Sequence, residues 1–532
     1  LDSRNFSLVN ENVFNYSKTF NQNHSFNALL GASYQKANSR LAAMGVLPGS
    51  FSNDIIQTLN NGIISPTATY TSKSQWGLAS YFSRVNYAYK DKYILSASFR
   101  TDGSSRFGPK NRWGAFPSAS VAWRISEENF MKALPVVSEL KLRASYGVVG
   151  NFNIGDFRYL GAISEAYYSP GGLLSKAQMQ TSLGNEELRW ERTASQNFGV
   201  DVGLFKGRIN VGVDYYIKKT NDLLYDVSIP AISGFSNSMV NIGDIKNSGI
   251  ELELRTKNFA REFKWETSFN LARNRNEVVS LGGVNEVIYT HTRGMGWLLR
   301  VGEPMFSYYG YKSIGVLQDA EDVKNSAVIV GSKPGNGKLE DVNKDGKIDP
   351  NDRQILGNYQ PKLFLGLVND FSWKKFDLSI VMQASLGAKM YNLENLFYQG
   401  ATVSAMRRSL IEDQWWSAEE PGNGKAPATA LSQLAFLSNT DYYIEDASFL
   451  AVRSINLGYT VPATIAQKLR MNSCRIYTSI TNPFMFTKKG FHGYNPEGFT
   501  NGEISGINST PGFNNGAEPI NRIYALGLNI NF

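Results

Sequence analysis

The chain has 532 residues, far more than one ordinary hydrophobic core holds, and combines 13% aromatic residues and 48 Gly with only 19% charged residues, a mixture that favours strands and turns over helices. Its net charge is +8, but the basic residues are scattered rather than gathered in a stripe, which argues against a nucleic-acid partner. The single cysteine, Cys474, excludes an internal disulfide framework, and no apolar run reaches the roughly 18 residues a membrane-spanning helix needs.

Segments with period-two alternation recur from end to end. Phe6 to Lys18 and His24 to Lys36 form a first pair joined by a polar turn; in the second, Phe26, Ala28, Leu30, Ala32 and Tyr34 share one face. A Ser-, Asn- and Gly-rich loop runs from about 37 to 75. Tyr81, Val85, Tyr87 and Tyr89 lead through Y-K-D-K-Y into Tyr93, Leu95, Ala97 and Phe99. After another loop, Ala119, Val121, Trp123 and Ile125 face away from Ser118, Ser120 and Arg124. Leu140, Leu142, Ala144 and Tyr146 follow.

The pattern resumes at Phe198 to Leu204 and, past F-K-G-R, at Ile209 to Ile217. Ile250, Leu252 and Leu254 precede Phe263, Trp265, Thr267, Phe269 and Leu271. The longest loop spans about 274 to 361. Strands near 362–373 and at Phe376 to Ala384 turn at W-K-K-F, and strands near 449–461 and 474–485 follow an aromatic-rich loop. The chain closes on I-Y-A-L-G-L-N-I-N-F, with Tyr524, Leu526, Leu528, Ile530 and Phe532 on one face. Alone, that strand suits either a membrane barrel, its apolar face on lipid, or a soluble sandwich.

Connection lengths separate the two. About fifteen strands alternate short and long connections without exception. An all-β, antiparallel transmembrane β-barrel, with short periplasmic turns and long extracellular loops, requires that parity, and a sandwich does not. The final strand then runs inward and places Phe532 at the periplasmic rim, where Tyr524, Leu526, Leu528, Ile530 and Phe532 are expected to serve as the signal for the barrel-assembly machinery. Bacterial single-chain barrels use even strand numbers, and the first residue is Leu1, so the chain is expected to be a partial barrel domain over 1–532 whose first strands lie upstream.

Several stretches resemble one family. R-T-D-G-S-S-R-F-G-P-K-N-R-W-G-A-F-P-S (Arg100 to Ser118), L-K-L-R-A-S-Y-G-V-V-G-N (Leu140 to Asn151) and L-R-W-E-R-T (Leu188 to Thr193) are similar to segments of the SusC/RagA family of TonB-dependent outer-membrane transporters. So are Asp214 to Leu224, Ile242 to Leu252, Asp341 to Asp349 and Ile444 to Tyr459, in one order along nearly the whole chain. The resemblance implies a barrel of about 22 strands around a plug, a Bacteroidota outer membrane, a SusD-like surface lipoprotein as lid, and import of oligosaccharides or peptides. The plug and its TonB-contacting segment would lie outside this sequence.

The sharpest chemical motif sits in the 274–361 loop. Asp341, Asn343, Asp345, Asp349 and Asp352 place oxygens at positions 1, 3, 5, 9 and 12 of a calcium loop, Gly346 falls at the sharp turn, and Lys347 offers its carbonyl. A structural Ca²⁺ stiffening the loop is therefore expected at 341–352. The departure from an EF-hand is Asp352, where Glu gives longer bidentate reach; a metal-free polar loop is the alternative. Loop aromatics Tyr167, Tyr168, Trp297, Tyr308, Tyr309, Phe397, Tyr398, Trp415 and Trp416 are candidates for stacking on substrate, against the plainer role of loop packing.

Catalytic constellations are missing. His24, His291 and His492 are far apart, and no H-E-x-x-H, G-x-S-x-G or Walker loop occurs, so no enzyme is expected. The expected function is energised nutrient import across the outer membrane. A passive porin or surface-binding barrel is the alternative, and a secreted calcium-dependent hydrolase leaves the strand parity unexplained.

Overall fold

The computed structural model describes all residues except 52, 173–174, 236, 291–294, 396–406, 430–438, 499–511 and 515. Fifteen strands form one sheet: β1 (Asp2–Phe20), β2 (His24–Ala43), β3 (Tyr70–Tyr89), β4 (Tyr93–Ser104), β5 (Trp113–Arg124), β6 (Val137–Asn151), β7 (Glu191–Leu204), β8 (Ile209–Asn221), β9 (Asp244–Ala260), β10 (Phe263–Ser280), β11 (Leu363–Trp373), β12 (Phe376–Leu386), β13 (Phe449–Thr460), β14 (Ser473–Thr487) and β15 (Ile523–Asn531). Their order in the sheet is their order in the chain, so β1 and β15 each have one neighbour.

Burial along several of these strands is inverted relative to a soluble sheet. In β4 the apolar positions Tyr93, Leu95 and Phe99 are about half exposed, at 48, 47 and 49%, while the alternate positions carry the polar Ser96, Ser98 and Arg100 and are more covered. Val121 and Leu457 repeat the pattern on β5 and β13, while the edge strand β15 is exposed on both faces. An apolar face left open on these strands is what a hydrocarbon solvent demands, whereas on β9 and β10 Leu252, Leu254, Phe269 and Leu271 are the more covered positions.

The chain divides into two compact units: residues 1–128, 142–198 and 218–244, and residues 129–141, 199–217 and 245–532. In the first, the polar face is a hydrogen-bonded rung. Asn27 pairs in register with Ser17 and Asn86, and Asn86 with Ser96. The Ser96 hydroxyl donates to Asn86 at 2.6 Å, and the Asn27 amide to Ser17 at 2.6 Å. Near the turn end, Tyr93 stacks between Tyr89 and Trp123, with ring centroids 6.4 and 6.3 Å away. Above the strands, Phe107, Phe116, Ile154, Leu188 and Trp190 make a buried loop core, and Trp190 donates its indole N–H to the Arg112 carbonyl at 3.0 Å.

In the second unit, Trp265 stacks on Phe371 at 5.6 Å and Phe376 tilts on Tyr459 at 4.8 Å. A separate loop core buries Met295, Trp297, Tyr308, Tyr391, Leu393, Tyr443 and Phe513. It is laced by a four-stranded sheet of Glu286–Thr290, Gly296–Arg300, Ser307–Gly310 and Gln354–Asn358, and by a three-stranded sheet of Lys389–Asn392, Ile444–Asp446 and Phe513–Asn514. Two of the short turns, of three and four residues, are tight: Lys90 and Asp91 both take φ +53°, and Phe205 and Lys206 take +53° and +59°, the left-handed backbone that matches the twist of the flanking strands.

Candidate functional site

The 341–352 loop is organised by its own backbone amides. Asp341 Oδ1 accepts from the Lys344 N–H at 2.6 Å and Oδ2 from the Gly346 N–H at 2.9 Å. Asn343 Oδ1 accepts from Asp345 N–H at 3.1 Å, and Asp345 Oδ1 from Lys347 N–H at 2.9 Å. Gly346 takes φ +80°, the left-handed turn that only glycine adopts without cost. Ile348 is buried with Tyr311 and Leu339, which pins the loop to the protein.

Asp352 is the fully buried member. Its Oδ1 accepts from Val342 N–H at 2.9 Å, and its Oδ2 from Asp349 N–H at 2.8 Å. Burial opposes its ionisation, but the amides of Asp349, Val342 and Asn343 outweigh that cost and hold the carboxyl below its usual range. Asp349 in turn accepts from Asn351 N–H at 2.7 Å and starts a short 3₁₀ turn, Pro350–Asp352.

The donor types, their spacing and the Gly346 turn fit a hard, oxygen-seeking cation. The convergence is incomplete: among the described residues no three carboxylate, imidazole or thiol groups come together closely enough to hold a metal ion. Asp341, Asn343, Asp345, Asp349 and Asp352 instead spend oxygens on amides of the loop.

The aromatic candidates part company. Tyr167 and Tyr168 stand 63 and 66% exposed on the hairpin of Ile163–Tyr168 and Ser175–Gln180. Trp416 is 56% exposed, and Tyr309 is half-buried with the Arg300 guanidinium 5.5 Å over its ring. Trp415 packs against Gly335 and donates its indole N–H to the Gln318 carbonyl at 3.2 Å. Trp297 and Tyr308 are corrected by the structure: both are fully buried core residues and present no ring face to a ligand. The Tyr308 hydroxyl donates to the Gly512 carbonyl at 2.5 Å, and burial pushes its pKa upward. Phe397 and Tyr398 lie outside the described residues.

Two features escape sequence reading. Glu445, 8% exposed, accepts from Asn392 and Asn395 at 3.1 and 2.7 Å and from the backbone and ring of His492 at 3.0 and 2.9 Å. Nothing in the sequence signals that pairing, since His492 is 47 residues away. The second feature is a recess of about 390 Å³ on the polar face of β9 to β13, lined by Glu253, Arg255, Asn270, Gln383 and Arg453. Arg453 donates to Gln383 at 2.9 Å and pairs with Glu497. Alternation does mark Glu253, Arg255 and Asn270, but not that they meet.

The sheet, its inverted burial and its loops now have a family context. The β-barrel family described as "TonB dependent receptor-like" matches residues 2–400. This chain belongs to the TonB-dependent receptors. Among curated relatives, TonB-dependent receptor P39 of Formosa agariphila is 36% identical, over 99% of this chain and 53% of that protein. TonB-dependent receptor SusC of Bacteroides thetaiotaomicron is 33% identical, over 86% of this chain and 44% of that protein. The receptor chain thus spans about half the length of the relatives it matches. Among solved structures, the RagAB peptide transporter superposes with a TM-score of 0.83 at 23% identity, over 100% of this chain and 56% of that one, which shows the shared fold. The receptor is therefore a SusC/RagA-like outer-membrane β-barrel chain.

Proposed function

We propose that this chain forms part of the wall and the outer loops of an energised importer that takes up oligosaccharides or peptides. A SusD-like surface lipoprotein would cap it, and TonB would act through a plug segment beyond the sequence given. The observation that carries the reading is the likeness to SusC over 86% of the chain at 33% identity. The name of the RagAB structure, a peptide transporter, supports peptides as one substrate class.

The wall supports transport in two ways. Its polar rung and the Arg453 recess offer hydrated hydrogen-bonding surface, and its loops are long enough to build a binding platform. The exposed Tyr167 and Tyr168 in the first unit, and the half-buried Tyr309 and exposed Trp416 in the second, are candidate stacking residues. The experiment is uptake of labelled oligosaccharide and peptide pools by cells carrying or lacking the gene, with and without a protonophore. Uptake lost on deletion and abolished by the protonophore supports the importer. Gene-dependent uptake that ignores the protonophore identifies a passive pore instead.

Two finer assignments accompany this reading. Asp341, Asn343, Asp345, Lys347 through its carbonyl, Asp349 and Asp352 would hold a structural Ca²⁺, supplying charge neutralisation and stiffness to the long loop. Isothermal titration with calcium tests it: saturable binding that D345N weakens supports the site, and no heat above dilution ends it. Tyr524, Leu526, Leu528, Ile530 and Phe532 would be read by the barrel-assembly machinery. Their support is an open apolar edge, with Leu526 and Phe532 80 and 84% exposed.

A further inference from the structure

The short-turn end of the second unit carries a charge pattern that nutrient import does not use. Four successive turns follow β7, β9, β11 and β13, and each is basic: Lys206 and Arg208, then Arg261, then Lys374 and Lys375, then Lys468 and Arg470. All are exposed. The one acid within these turns, Glu262, is met by Lys374 at 3.7 Å. Among the described residues, Lys206, Arg261, Lys375, Lys468 and Arg470 have no carboxylate within ion-pair distance.

At the loop end of the same unit several cations do find carboxylates. There Lys338 meets Asp322 at 2.7 Å, Lys312 meets Glu340 at 3.2 Å, Arg300 meets Glu286 at 2.8 Å, and Arg453 meets Glu497. These four loop cations are paired, whereas the five turn cations named above are not.

Immediately inward from the open cations lies an exposed aromatic belt. Phe259, Trp373 and Phe376 are 53, 51 and 47% exposed, and the Lys374 ammonium sits 5.0 Å over the Trp373 ring. The last of the four turns adds Ile465 and Leu469, 50 and 62% exposed, beside Lys468 and Arg470. Amphipathic rings at the headgroup level, with cations one step beyond, match a membrane interface whose headgroups are negative.

We infer that this rim binds anionic phospholipid headgroups of the periplasmic leaflet. Phosphate is the acceptor that the unpaired guanidinium and ammonium groups lack. An acidic soluble partner would satisfy the cations but not the exposed rings and aliphatic side chains that flank them.

The test is quenching of tryptophan fluorescence in the full protein by brominated phosphatidylglycerol against brominated phosphatidylcholine, in bilayers of mixed composition. The signal that Trp373→Phe removes reports the rim. The expected preference for the anionic lipid is about fivefold, the ratio set by about one Lys or Arg contact. It should fall toward unity in the quadruple variant K206Q/R261Q/K375Q/R470Q. Should that variant fail to insert, salt serves in its place: raising ionic strength from about 0.1 to about 0.5 M should erode the preference in the unaltered protein. Equal quenching by the two lipids overturns the inference, and so does a preference that survives both the substitutions and the salt.

Discussion

Asp352 shows how one side chain sets the character of the long loop. Both its oxygens accept backbone amides, so D352N turns one amide-accepting oxygen into a donor facing a donor. The expected cost is about 1–3 kcal/mol, read as faster hydrogen exchange at the Val342 and Asp349 amides. The same contacts fix a pH dependence. A carboxyl whose folded pKa is lowered contributes stability that is complete above its unfolded value, about 3.9, and is lost as pH falls through the folded value. Asp441 works in the opposite sense: burial raises its pKa despite the Ser313 amide at 2.8 Å, so its ionisation costs stability as pH rises through the raised value. Protection of the amides around Asp352 should therefore hold down to about pH 4 and fail only below it. Tyr308 makes the matching case in an apolar setting. Y308F takes from the buried Gly512 carbonyl one of its two donors, leaving the Tyr391 N–H at 2.9 Å, and should cost about 0.5–1.5 kcal/mol. Y167A, on an exposed hairpin, should stay within about 0.5 kcal/mol. Thermal melts of the three proteins decide the ranking.

At the scale of elements, the fifteen wall strands were legible because each has one face in hydrocarbon and one in a polar setting, so alternation survives in the sequence. Their lengths were not. β2 and β3 run on to Ala43 and back to Tyr70, into a stretch that reads as loop because small and polar residues such as Ala37, Asn38, Ser39, Thr71, Ser72 and Ser74 fall on both faces. The strands inside the loops were invisible for a different reason. Gly296–Arg300 has four consecutive buried positions, so both faces are packed and no period of two remains. The burial of Trp297 and Tyr308 follows from such packing and from a hydrogen bond between residues 204 apart, which no local pattern announces. The calcium-type spacing was legible as an ordered set of oxygens, whereas their commitment to amides depends on the folded backbone. The inverted wall gives its own prediction. L95K places a charge on the open apolar face of β4 and should cost about 2–4 kcal/mol if that position lies near the bilayer centre. S96K, on the polar face, should cost far less. The folded fraction, read from heat-modifiable migration on a gel, separates the two.

At the scale of the whole molecule, everything argued about the loops, the recess and the basic rim depends on one directional claim: long loops outside, short turns in the periplasm. The family match and the SusC likeness fix the kind of protein, and the chain-order sheet gives consecutive connections to opposite ends. Cys474, the one cysteine in this sequence, is buried, so cysteines introduced at exposed positions can be read above it. The most direct measurement is labelling of N343C, in the calcium-type loop, and K375C, in the β11–β12 turn, with a membrane-impermeant maleimide. In intact cells N343C should label and K375C should not, and both should label once the outer membrane is permeabilised. Labelling of K375C from outside intact cells, with N343C silent, would contradict the account.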